Sequence, residues 1–335
     1  MDKGRAAVVA GFLADAGWGG SEPELLAADA SFRRYYRLSD GERRMVLMDA
    51  PPPHEDVRPY VAVAGMLRGY GLSAPEIFAQ DSERGLLLIE DFGDDTYTRL
   101  LARGTDERAL YALAVDTLIA LQRAVAAPPA LPAYDEDVLL REAALLTEWY
   151  APAVLGTPLQ PALHEEYLAL WQAVLPFAAM GAPTLVLRDY HVDNLMLLEG
   201  RRGVRGCGLL DFQDALSGPA SYDLVSLLED ARRDVPPALR EAMTERYLAA
   251  FPALDRGAFR RAAAILAAQR NAKIIGIFTR LWRRDGKPRY LDHIPRVWRL
   301  LEGDLQEPAL HPLARWFDRH LPRAARHIPE RRDAA

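Results

Sequence analysis

One cysteine, Cys207, stands in the 335 residues. That excludes an intramolecular disulfide framework and any zinc site built from several thiolates. Lysine is almost as scarce, with only Lys3, Lys273 and Lys287, so arginine carries nearly all of the positive charge. There is no basic excess: 41 Lys and Arg face 47 Asp and Glu, a formal net charge of −6. General charge attraction to nucleic acid is not expected from that balance. The motifs G-x4-G-K-[ST], G-x-G-x-x-G, G-x-S-x-G and H-E-x-x-H are all missing, and with them the phosphate-loop, dinucleotide, hydrolase and zinc-protease chemistries they carry. Long hydrophobic runs are few. Residues 167–187 (YLALWQAVLPFAAMGAPTLVL) are uncharged and long enough to suggest a membrane span, but Gln172, Pro176, Gly181, Pro183 and Thr184 break them. They read as a helix, a turn and a buried strand. The start, Lys3 to Ala16, faintly resembles a secretion leader, yet Val8, Val9, Phe12 and Leu13 share one helical face and predict an amphipathic first helix. A cytoplasmic monomer with no membrane segment is expected.

What is present is ordinary for a globular chain: 50% hydrophobic and 26% charged residues, with room for about two domains at ~150 residues each. The first hundred residues read as strands (24–29, 31–39, 43–50, 75–81 and 85–91) with one helix inserted at 57–70. After Phe92-Gly93-Asp94-Asp95 the pattern turns helical, at 106–125, 135–150 and 161–178 and again from Ser221 to about His320. Three short strands interrupt it, at 183–189, 194–199 and 204–212. From Pro322 onward an arginine-rich, loose tail is expected. The order is a strand-rich lobe (1–92) followed by a mainly helical lobe (93–335), and a cleft between such lobes is the default place for a ligand.

The densest chemistry lies in 183–223. An apolar strand, Leu185-Val186-Leu187, delivers Arg188-Asp189; a loop runs to Asn194; a hairpin returns through Gly208-Leu209-Leu210 to Asp211. Carboxylates at the ends of apolar strands are costly unless a ligand or cation repays them. This set can supply one base and two oxygen ligands for Mg²⁺, which phosphoryl transfer requires. Asp-x4-Asn alone is a weak signal, since both residues favour turns. The ensemble that ends in Gly218-Pro219-Ala220-Ser221-Tyr222-Asp223 makes it specific.

RDYHVDN, LLDFQDA and GPASYDLVSLL resemble the aminoglycoside phosphotransferase and choline kinase family, relatives of the protein kinases. The resemblance implies an α+β, bilobal, protein-kinase-like fold: a five-stranded antiparallel sheet in the N-lobe and a mainly helical C-lobe. It implies Asp189 as catalytic residue, Asn194 and Asp211 as magnesium ligands, and Asp223 as the acid bracing the catalytic loop. DASFRRYYRL, VLMDAPP, QRNAKIIGIFTRL and DGKPRYLDHIPRVW are similar to the bacterial anomeric amino-sugar kinases of cell-wall recycling. ATP, Mg²⁺ and an amino sugar such as N-acetylmuramate or N-acetylglucosamine are the ligands this resemblance implies, with transfer to the C1 hydroxyl.

Against the kinase plan, RRMVLMDA lacks the usual strand lysine and no glycine-rich phosphate loop is visible. Arginine can replace lysine at a phosphate; Arg33, Arg34 and Arg44 are the candidates, in that order, with Ser31 beside them. Glu55 lies near the place of the lysine's usual glutamate partner, but with no lysine to pair with it reads as a helix N-terminal charge. Met48 is a candidate adenine-facing side chain, and Glu90 and Phe92 mark the connector whose backbone would bond the base. For the sugar, the helical lobe offers Trp149, Tyr150, Arg270, Asn271 and Tyr290, with His191 in the catalytic loop orienting Asp189 or touching substrate. Two other readings stay open: a kinase for an aminoglycoside or choline, and a nucleotide-binding module without catalysis.

Overall fold

The computed structural model describes residues 3–28, 32–127 and 129–330. In chain order the elements are α1 (Lys3–Asp15), β1 (Glu24–Ala28), β2 (Arg34–Asp40), β3 (Arg43–Asp49), α2 (Arg58–Gly69), β4 (Ile77–Asp81), β5 (Leu86–Glu90), α3 (Tyr97–Ala102), α4 (Glu107–Ala124), α5 (Glu136–Leu145), α6 (Ala151–Leu155) and α7 (Pro161–Val174). There follow β6 (Thr184–Val186), β7 (Leu195–Leu197), β8 (Cys207–Leu209), β9 (Leu216–Gly218), α8 (Tyr222–Leu228), α9 (Pro237–Ala250), α10 (Arg256–Asp285), α11 (Ile294–Asp304) and α12 (His311–His320). Two compact units result: Met1–Thr117 with Val192–Ala215, and Leu118–His191 with Leu216–Ala335. The expected boundary after residue 92 falls inside the first of these.

The first unit is built on a five-stranded antiparallel sheet of order β1-β2-β3-β5-β4. Strand alternation gives the sheet two faces. Tyr36 and Leu38 of β2, Leu47 of β3 and Leu86 and Leu88 of β5 point to one side and meet Val9, Phe12 and Leu13 of α1. The i, i+3, i+4 spacing in α1 is therefore a packing face, and Arg5 ties the helix to Asp49 at 2.8 Å. The other face carries Tyr35, Val46, Met48, Leu87 and Ile89. The short β7–β8 hairpin belongs to the same unit.

The second unit is helical. Its core joins Leu139, Leu146, Tyr167, Trp171, Ile265, Ile275, Val297, Trp298 and Phe317, with the long α10 against α5 and α11. Segment 167–187 forms the end of α7, a 3-10 turn (Leu175–Ala178) and β6, as its broken apolar pattern predicts. Strand β9, which pairs with β6, and the π turn at Leu146–Tyr150 are not foreshadowed by periodicity. The expected loose tail is corrected as far as residue 330: Arg326 bonds Glu302 at 2.6 Å and Asp318 at 2.7 Å and lies over Trp298. Arginines without apolar neighbours in sequence found acids and an indole in space.

Candidate active site

In the first unit, the sheet face opposite α1 lines a cavity of about 550 Å³. Val46, Ile89, Met196 and Leu210 make its apolar part, and Tyr60, Glu90, Phe92, Asn194 and Asp211 its polar and aromatic rim. That is the size and mixture typical of a small-molecule site. Glu90 and Phe92 line the cavity, and the connector is pinned from both sides. Arg37 holds Asp91 at 2.7 Å, and Arg201 pairs with Glu90 and covers the Phe92 ring at 5.3 Å. Gly208 is the residue that lets Phe92 lie there, since a Cβ at 208 would come within 2.8 Å of its ring. Met48 shares the cavity side of β3 with Val46, but it is 1% exposed and does not line the cavity.

Asn194 opens β7 and Asp211 follows β8, so pairing of Leu195 with Leu209 brings the two together. Asn194 Nδ2 is 3.5 Å from Asp211 Oδ2, and Gln213 Nε2 donates to Asp211 Oδ1 at 2.8 Å. Asp211 has a left-handed backbone, φ 55°, a conformation that costs a non-glycine residue energy and that functional sites retain. With the Asn194 amide turned over, the pair offers two hard oxygen donors side by side. Magnesium suits such donors and takes its remaining ligands from water and phosphate. Among the described residues no group of three or more His, Cys, Asp or Glu is arranged to hold a metal, so phosphate oxygens would have to complete the shell.

The arginine candidates separate. Arg33 is half-buried, with Nη2 3.7 Å from Asp211 Oδ1 and Nε 3.7 Å from Glu55 Oε2. Glu55 also accepts from the Phe32 amide at 3.0 Å, so it is the arginine's partner rather than only a helix charge. Arg34 pairs in register with Asp49 on the α1 face of the sheet, away from the cavity, and is exposed. This corrects its assignment to the phosphates: one step along a strand reverses the face. Arg44 is exposed at the far end of β3 and does not line the cavity. Ser31 lies outside the described residues.

In the second unit, Asp189 follows β6 on a loop whose backbone is gripped from below. Asp223, 2% exposed at the start of α8, accepts from the amides of Leu187 at 2.7 Å and Arg188 at 2.9 Å. Ser226 Oγ donates to the Arg188 carbonyl at 3.1 Å. Asp223 thus holds two successive amides of the segment before Asp189. Burial pushes its carboxyl up to about 7 against the pull of the two amides, and Asp189 adds repulsion. Arg188 has φ 69°; its side chain pairs with Glu142 and lies 5.5 Å from the Tyr134 ring centre. Lys273 reaches the same Glu142 at 2.9 Å, and Tyr134 Oη donates to it at 2.5 Å. Asp189 itself is exposed. Desolvation by neighbouring protein raises its pKa, but Lys273, His191, Arg188 and Arg270 outweigh it and hold the carboxyl below its ordinary value. An accessible, ionised carboxylate on a fixed loop is equipped to take a proton.

The other expected sugar contacts divide. His191 is buried, and Arg232 Nη1 donates to its Nε2 at 3.4 Å. Burial, then Arg232, hold the imidazole pKa down against the pull of Asp230 and Asp189. Arg270 is 4% exposed and donates to the Glu229 carbonyl at 3.1 Å; Asn271 is fully buried and bridges Glu229 and Asp304. Tyr150 is also fully buried, its hydroxyl donating to the carbonyls of Ala325 and His327. These three are corrected to internal supports, because each is buried and donates to acceptors inside the fold, Asn271 through its Nδ2 and Arg270 through its Nη1. Trp149 is half-buried in the π turn, and Tyr290 packs on Phe278. Glu142, Lys273, Tyr134 and Arg232 were not singled out as site residues; the one available signal was the rarity of lysine, which made Lys273 conspicuous.

The family model described as "Phosphotransferase enzyme family" matches residues 22–265. An N-acetylmuramate/N-acetylglucosamine kinase of Caulobacter vibrioides is 40% identical, covering 95% of this chain and 97% of the relative. One of Pseudomonas aeruginosa is 45% identical over 87% of this chain and 86% of the relative. Among solved structures, a choline/ethanolamine kinase family protein from Mesorhizobium loti superimposes with a TM-score of 0.62 at 16% identity, covering 97% of this chain and 99% of that one. The gentamicin complex of APH(2'')-IIa gives 0.59 at 15% identity, over 90% and 98%. The architecture is that of the protein-kinase-like phosphotransferases, and this chain belongs to the phosphotransferase enzyme family.

Proposed function

We propose that this chain is an ATP-dependent kinase that phosphorylates the anomeric C1 hydroxyl of N-acetylmuramate and N-acetylglucosamine. The observation that carries the reading is a single loop. Asp189, exposed and ionised, stands five positions before Asn194, whose amide lies 3.5 Å from the Asp211 carboxylate at the nucleotide-sized cavity. The amino-sugar acceptor is supported by the identity to the kinases of Caulobacter vibrioides and Pseudomonas aeruginosa.

In this reading adenine lies among Val46, Ile89 and Phe92, with its polar edge toward the 90–92 backbone. Arg33 meets the phosphates, with Glu55 holding its guanidinium. Asn194 and Asp211 would hold Mg²⁺, which neutralises phosphate charge when bound. Asp189 accepts the proton of the C1 hydroxyl as its oxygen bonds to the γ-phosphorus, and the bond from that phosphorus to the ADP oxygen breaks. Asp223 keeps Asp189 at one height by fixing the two preceding amides. Cytoplasmic recovery of cell-wall sugars is the setting that follows, and no described helix is long and apolar enough to cross a membrane.

The test is to incubate the purified chain with ATP, Mg²⁺ and a panel of N-acetylated sugars, choline and aminoglycosides. A sugar 1-phosphate is the expected product. Phosphocholine or a phosphorylated aminoglycoside would move the substrate class, and bound nucleotide with no product would leave a module without catalysis.

A further inference from the structure

The cavity of the first unit has few donors for a polyanion. Among the described residues no arginine or lysine lines it, and Arg33 reaches its edge at Asp211 Oδ1, 3.7 Å away. Carboxylates line it instead, each with a partner. Glu90 pairs with Arg201, Asp91 with Arg37 at 2.7 Å, Asp193 accepts from the Thr98 hydroxyl, and Asp211 accepts from Gln213 at 2.8 Å. A polyphosphate placed beside these acids needs hydrogen-bond donors aimed at its oxygens.

Tyr60 of α2 offers one. With Val63, Ala64 and Leu67 it forms the buried face of the helix, the i, i+3, i+4, i+7 spacing of a packing stripe. An apolar side chain would fill that position as well, so the phenol hydroxyl is surplus to packing. A buried tyrosine ordinarily satisfies its hydroxyl within the protein. The Tyr60 hydroxyl makes no hydrogen bond to any described residue, although the side chain is 3% exposed and lines the cavity. Its ring is fixed on Phe212, the residue after Asp211, with centroids 4.7 Å apart and planes at 31°. Phe212 is itself fully buried, so the hydroxyl is held in place relative to the carboxylate proposed as a metal ligand. Burial, then Tyr35 and Asp211, push the phenol pKa well above its ordinary value against the pull of Arg33. The group therefore keeps its proton and remains a donor.

We infer that Tyr60 is a phosphate-binding residue, its hydroxyl donating to an oxygen of the β- or γ-phosphate of the nucleotide beside Asp211. This rests on the kinase reading and adds to it a neutral donor at a cavity that no arginine or lysine lines among the described residues. Phe212 is then a positioning residue, fixing the ring that carries the hydroxyl.

The experiment measures by calorimetry the binding of adenosine and of a non-hydrolysable ATP analogue with Mg²⁺ to the wild type and to Tyr60→Phe. The variant keeps the ring and its stack on Phe212 and removes one oxygen. Its affinity for the analogue should fall about tenfold, the scale of a hydrogen bond to a charged acceptor, while its affinity for adenosine stays within about twofold. A ring whose role is structural would weaken both ligands alike, and an idle hydroxyl would weaken neither; either result would overturn the inference. So would a variant that fails to fold, since the hydroxyl would then be held inside the protein. A wild type that binds neither ligand would overturn the kinase reading and this inference with it, an outcome distinct from failure of the variant alone.

Discussion

In the second unit, the loop leading to Asp189 is held at two successive amides by one buried carboxylate, and the residue before it is clamped by Glu142 under an aromatic ring. In the first unit, Asn194 and Asp211 meet at 3.5 Å and Arg33 approaches Asp211 only to 3.7 Å, on the rim of an open cavity. The contrast suits the proposed roles. A group proposed as a base has to stand at one position before its substrate arrives. Groups proposed to meet a metal and a polyphosphate have to stay available, and their contacts with one another are long, while Gln213 holds Asp211 at 2.8 Å.

Breaking the rigid side should have the largest effect. Asp189→Asn is expected to lower kcat by ~10³-fold or more with little change in thermal stability, since the side chain is exposed; steady-state kinetics and a melting curve check both. Asp223 offers a pH handle. Its carboxyl is raised from 3.8 to about 7 in the folded chain, so the folded state binds that proton more tightly than the unfolded one. Stability from this group is therefore greatest below about pH 4 and falls as the pH rises through about 7, by up to roughly 4 kcal/mol. Urea unfolding between those limits should show that slope, and Asp223→Asn should flatten it.

On the open side the effects are smaller. Arg33→Ala should raise the KM for ATP by ~10-fold or more through loss of a charged contact, with kcat for saturating ATP less affected. Arg34→Ala and Arg44→Ala should each change it by less than about twofold, because exposed arginines off the cavity contribute little. Equal effects at all three positions would erase the distinction among them.

Much of this was legible in the sequence. Period-two alternation and turn residues place the five strands, the Asp189, Asn194 and Asp211 pattern marks the loop, and the family resemblance implies Asp223 as its brace. What was not legible depends on long-range contact. Arg33 and Arg34 look equivalent in a string, and only the register of β2 with β3 shows that Arg34 points to the α1 face. Tyr150, Arg270 and Asn271 have the chemistry of sugar ligands, yet they are buried and donate to backbone and acids far away in sequence. Glu142 and Lys273 lie 131 positions apart in numbering and meet only because α5 packs on α10.

The most direct test is phosphorus and proton NMR of the product made from N-acetylglucosamine, ATP and Mg²⁺. The account predicts a phosphate coupled to the anomeric proton, formed by the wild type and absent with Asp189→Asn. Phosphate on another sugar oxygen, or the same 1-phosphate formed at wild-type rate by Asp189→Asn, would contradict it.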